Sequence, residues 1–122
     1  MRASKDFDPQ DPTEIELFGC DFVNDLPQGD SIVINPAPVV TIGVIVQVNS
    51  VPTVWTSALG IPNPDPNYLS RLLAAPTFDG TLVSVLVGGC QAGCQYKLTY
   101  TVTTTSGKAI SLYAYIPPET SP

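Results

Sequence analysis

The chain has 122 residues, 43% of them apolar and 13% charged, with a net charge of −6. That length supports one domain with its own core. Eleven acids against five bases argue against nucleic-acid binding, because such a surface repels the phosphate backbone, and the absence of histidine removes Ser-His-Asp and Cys-His catalysis and the usual zinc ligands.

Eight of the eleven acids, from Asp6 to Asp30, lie in the first thirty residues. Residues 1–18 are expected to form an extended acidic arm, with Asp8-Pro9 and Asp11-Pro12 keeping it out of helix. Asp6-x-Asp8-x-x-Asp11 lacks the glycine and distal glutamate of a calcium loop. The opening MRASKDFDPQDP has no apolar run of the secretory kind, and no later stretch approaches the roughly 18 apolar residues of a membrane helix. A soluble product made in the cytoplasm is the expectation, with no membrane partner.

Residues 19–117 are expected to form one β domain, and 118–122 a short tail. Glu14–Phe22 reads as a strand interrupted at Gly19, and Asn24–Asp30 as a turn. Ser31–Asn35 starts a strand that Pro36 and Pro38 end. Val39–Val48 is the most apolar strand and a central one. Val51–Ser57 reads as a strand with Trp55 pointing inward. Residues 60–67, GIPNPDPN, form an irregular loop. Tyr68–Ala75 is the one helix candidate, about two turns, stopped by Pro76. Asp79-Gly80 is a turn, and Thr81–Val87 a strand.

The last two strands have the clearest pattern. Tyr96, Leu98, Tyr100 and Val102 alternate with Lys97, Thr99, Thr101 and Thr103, the period of a half-buried strand. Residues 104–108 supply a turn around Gly107, and Ile110, Leu112, Ala114 and Ile116 continue the pattern. About seven short strands, thirteen prolines and nine glycines point to an all-β fold, an immunoglobulin-like β-sandwich with an N-terminal arm and one short helix or loop insertion at 49–78.

No catalytic residue, metal site or cofactor is expected. Cys90 and Cys94 flank a tight turn and read as small semi-buried residues, with a disulfide between them or to Cys20 as the alternative; an odd count argues against a disulfide framework. Val87–Gly93 lacks the Lys-Ser/Thr and the helix of a phosphate loop. Tyr100, Tyr113, Tyr115 and Trp55 are candidates for a sugar-binding strip, but as strand and core residues they read first as packing or interface contacts.

Several short motifs occur in a fixed order: Lys5-Asp6, Asp21-Phe22, Gly29-Asp30-Ser31-Ile32, Val85-Leu86-Val87-Gly88-Gly89, Gly93-Cys94-Gln95-Tyr96-Lys97-Leu98-Thr99, and Val102–Lys108. The series resembles the fiber-tail adaptor proteins of tailed bacteriophages, over residues 5–48 and 81–116. Phe22 stands where that family often has Trp, and residues 49–78 are longer than its usual link. The resemblance implies a small Ig-like virion protein, in which Tyr96 corresponds to a tyrosine corner bonding backbone across the sandwich. Gly88, Gly89, Gly93, Gly107 and Tyr96 are then structural.

The function expected is a non-enzymatic structural protein on the tail or neck of a virion, linking a tail fiber or a neighbouring tail protein to the tail tube. Its copies would be arranged as a symmetric ring about the tail axis. Contact residues are expected in the arm (Asp6, Phe7, Asp8, Asp11, Glu14) and in the insertion (Trp55, Tyr68, Leu69, Leu72, Leu73, Phe78), the latter held out by Pro62, Pro64 and Pro66. The alternatives are a head decoration or head–tail completion protein and a carbohydrate-binding module contacting the host surface.

Overall fold

Strands account for about half of the described residues, as the alternating apolar pattern requires. The structure, a computed structural model, describes residues 2–3 and 15–117. Eight strands are β1 (Arg2–Ala3), β2 (Ile15–Asp21), β3 (Val39–Val48), β4 (Val51–Val54), β5 (Thr77–Asp79), β6 (Leu82–Gly88), β7 (Gln95–Thr103) and β8 (Ala109–Ile116). They form two sheets, ordered β1-β8-β7-β3-β4 and β2-β6-β5. Every pair is antiparallel except β1 with β8. This is the immunoglobulin-like arrangement, with β2-β6-β5 standing for B-E-D and β8-β7-β3-β4 for G-F-C-C′.

The core lies between the sheets. Phe18, Cys20, Val83, Val85 and Val87 from one sheet, with Phe22 just past the end of β2, meet Val40, Ile42, Val44, Leu98, Tyr100, Val102, Leu112 and Ile116 from the other. The alternation on β7 holds without exception, from Tyr96 to Val102. Burying each large apolar side chain contributes about 1.5–3 kcal/mol. One polar tie crosses the core: the Tyr100 hydroxyl donates to the Phe18 carbonyl at 3.0 Å.

Turns follow the residues that enforce them. Asn49 and Ser50 both take positive φ, 51° and 65°, as a two-residue hairpin twisted to match its strands requires. Residues 49–54 are therefore the β3–β4 hairpin. Gly107, at φ 86°, closes the β7–β8 turn, where its N–H donates to the Thr104 carbonyl.

Three expectations are corrected, and one strand is added. Glycine does not interrupt β2, because at Gly19 the neighbouring strand closes in: a Cβ there would lie 3.1 Å from Leu82 Cδ1. Residues 31–35 form no strand; only Ile32 makes an isolated bridge, to Thr104, before the prolines remove donors. Tyr68–Ala75 is no two-turn helix but a single 3-10 turn at Tyr68–Arg71. Thr77–Asp79 is a short edge strand on β6. In addition, β2 begins at Ile15, so residues 15–18 belong to a sheet.

Candidate functional site

The densest polar arrangement sits where the 57–76 segment meets the turn between β6 and β7. Gly89 and Gly93 take φ of 72° and 82° there, and the Cys94 N–H donates to the Gln91 carbonyl. This turn returns the chain so that the Tyr96 hydroxyl accepts from the Gln91 N–H at 2.8 Å. That is a tyrosine corner, closed five residues upstream. The bond is local, and the hydroxyl that reaches across the sandwich is that of Tyr100.

Tyr96 also donates, at 2.6 Å, to Oδ2 of Asp65. Asp65 is fully buried. Arg71 meets it in a two-point fork, Nε to Oδ2 at 3.0 Å and Nη2 to Oδ1 at 2.9 Å. The Asn67 N–H donates to Oδ1 at 3.2 Å. These four bonds occupy the roughly four lone-pair sites of a carboxylate. Asp65 thus has no capacity left for a ligand or a proton-transfer partner, and it acts as a clamp. Burial pushes its carboxyl up, but the Arg71 guanidinium and the Tyr96 hydroxyl outweigh that and hold it below the usual carboxylate range. Burial first, and then the bond to Asp65, pushes the Tyr96 phenol up.

The insertion is therefore not held out by its prolines. Pro62, Pro64 and Pro66 shape a loop that turns inward, where the Pro64 carbonyl accepts from the Gln91 side chain at 3.3 Å and the Cys94 thiol at 3.7 Å. Trp55, Tyr68, Leu72 and Phe78 pack against the protein's own core, and Trp55 Nε1 donates to the Ile61 carbonyl. Leu69 and Leu73, 66% and 45% exposed, remain outward. Asp6, Phe7, Asp8, Asp11 and Glu14 lie outside the described residues.

A second cluster joins two motifs far apart in sequence. Asp30 accepts from the Thr105 hydroxyl, from the Ser106 hydroxyl at 2.6 Å and from the Ser106 N–H at 3.1 Å. The Thr105 N–H donates to the Ser31 carbonyl. The Ser106 and Thr105 hydroxyls hold the Asp30 carboxyl far below its ordinary range. Pro27, Gln28 and Lys108 complete a shallow depression around it. Gly29–Ile32 and Val102–Lys108 thus pin one loop to one hairpin.

On the outer face of the larger sheet, Lys97 Nζ lies 4.4 Å from the ring centre of Tyr113 and 5.9 Å from that of Tyr115. The two rings meet edge to face at 79°, so they form no coplanar platform. Cys20, Cys90 and Cys94 are buried and joined by no disulfide. Burial pushes the Cys90 thiol up to about 11. Among the described residues no group of three ligating side chains gathers for a metal, and no helix is long and apolar enough to cross a membrane.

Sequence reasoning passed over Asp65 and Arg71. One sign was available: between Asp30 and Asp79 they are the only charged residues, an opposite pair six apart in an apolar stretch. Compared with protein-family models, curated proteins and solved structures, the chain matches none.

Proposed function

We infer that the chain is a non-enzymatic structural protein of a tailed-phage virion, an adaptor that joins a tail fiber or neighbouring tail protein to the tail. The observation that carries this reading is the ordered motif series from Lys5-Asp6 to Val102–Lys108. Two features give it physical support. The motifs are the parts that brace the sandwich, through the Asp30–Ser106 tie and the Tyr96 corner, which suits a rigid spacer. The strongest carboxylate arrangement is saturated by internal partners, which suits a part that holds its shape rather than one that turns over a substrate. Its partners are other virion proteins and further copies of itself about the tail axis, with neither nucleic acid nor membrane. Edge-on tyrosines under a lysine disfavour the carbohydrate-binding alternative.

The test is antibody labelling of purified phage particles, followed by cryo-EM of the labelled site. Density at the tail or neck is the expected result. Density on the capsid selects the head-decoration reading, and absence of the chain from particles rejects both.

A further inference from the structure

The two outer faces of the sandwich differ in kind. On the β2-β6-β5 sheet, the register sets Leu17 opposite Leu86. The Leu73 N–H bonds the Leu86 carbonyl, so Leu17, Leu86 and Leu73 form one row across the sheet. Ile15 and Leu17 are each 64% exposed, and Leu82 is 42% exposed. Leu82 leans over Gly19, whose missing Cβ leaves it room. Beside this patch Asp79 and Leu82 are paired in register, as are Asp21 and Leu82. No lysine or arginine lies on these three strands.

The opposite face carries the half-buried Tyr113 and Tyr115 under Lys97. Its strands β3, β4, β7 and β8 contain no Asp or Glu. Tyrosine is favoured in the buried centre of interfaces, while a contiguous exposed leucine patch is a liability unless covered. Packing leucine face on leucine face, as in a two-fold dimer, would enclose the acids of both copies in a contact to which these strands bring no lysine or arginine, an uncompensated arrangement that is costly. Packing leucine face on tyrosine face sets acids toward Lys97 instead.

We propose that copies of this chain associate back to front, the leucine-rich outer face of the β2-β6-β5 sheet on one copy seated on the Lys97–Tyr113–Tyr115 face of the next. Such a contact is heterologous: it closes into a ring if the rotation per copy divides a full turn, and otherwise grows open. The proposal deepens the adaptor reading and rests on it for why copies meet about an axis. The contact itself rests on the two faces.

Sedimentation of the full chain from about 1 µM to about 1 mM, at low and high salt, measures the association. Lys97→Glu and Asp79→Lys are each expected to raise the dissociation constant about tenfold or more, by opposing like charges. Mixed in equal amounts, the two variants present one swapped and one native contact, and association is expected to return to near the wild-type level. Leu17→Glu weakens association and is not rescued by mixing with Asp79→Lys, which is altered on the same face; mixed with Lys97→Glu it regains one native contact and stops at pairs. All three positions lie on outer faces, and matching circular dichroism and urea midpoints confirm that each variant is folded. A chain that stays monomeric throughout overturns the proposal. So does association that ignores Lys97→Glu, or variants that fail to rescue each other. Particle labelling is separate: a chain found on tails but monomeric alone loses this contact and keeps the adaptor reading, whereas one that self-associates but is absent from particles does the reverse.

Discussion

The Tyr96 hydroxyl donates to the buried carboxylate of Asp65, thirty-one residues away in sequence, at 2.6 Å. Through that one bond the corner that starts β7 and the loop that precedes β5 become a single unit. Arg71, at 19% exposure, closes it from the other side.

Asp65→Ala is expected to destabilise the fold by about 3 kcal/mol, because removing one partner of a buried pair strands the other. Arg71→Ala is expected to cost a similar amount, leaving the carboxylate buried without its cation. The double variant should cost less than the sum of the two, with a coupling of about 1 kcal/mol or more. Urea midpoints of the four proteins give these values.

Acid should weaken the protein through its carboxylates. Asp65 and Asp30 are both held below their ordinary 3.8 when folded. The unfolded chain therefore takes up protons first as pH falls. The contribution is complete above about pH 4 and is lost progressively below it. Urea midpoints followed from about pH 6 to pH 2 should fall steeply below pH 4. The Asp65→Asn variant, weaker throughout, should show a shallower fall.

The two core tyrosines should rank in a definite order. Tyr100→Phe removes a single bond, the one to the Phe18 carbonyl, at a cost of about 1 kcal/mol. Tyr96→Phe takes a partner from both Gln91 and Asp65, at about 2 kcal/mol. Thermal or urea unfolding that reverses the order would show the corner to be the lesser tie.

Gly43 should resist substitution because of Val54. A Cβ at Gly43 would lie 2.8 Å from Val54 Cγ1 on the paired strand. Gly43→Ala is expected to cost about 1–3 kcal/mol through overpacking. Adding Val54→Ala should recover part of that loss, a sign of strain rather than of altered propensity. Paired unfolding curves test it.

The thiols should be slow to alkylate. With Cys90 pushed up to about 11, only about one thiol in a thousand is thiolate at pH 8. Cys20 and Cys94 are buried as well. Iodoacetamide labelling followed by mass spectrometry should show little modification until denaturant is added.

The sandwich was legible because β7 and β8 alternate cleanly, and because Val39–Val48 is apolar at the length of a central strand. Residues 31–35 misled because a β-branched run was read without asking which strand would pair with it. Tyr68–Ala75 looked helical by composition, yet Arg71 turns back to Asp65 after one 3-10 turn. Proline spacing around Asp65 was read as keeping the insertion away, when it bends the loop inward. The tyrosine corner was visible at Tyr96, but its partner was not: a contact between residues 65 and 96 leaves no local periodicity.

The chain's single tryptophan sits at the entrance of the clamped segment, just after β4, rather than deep in the core. Its indole N–H is bonded to the Ile61 carbonyl at 2.9 Å, and its ring is half-buried against the sandwich. The protein therefore carries its own optical reporter of loop docking. A shift in intrinsic fluorescence that precedes the loss of β-sheet circular dichroism marks the loop lifting from an otherwise intact body. Coincident transitions mark a loop and sandwich that melt as one.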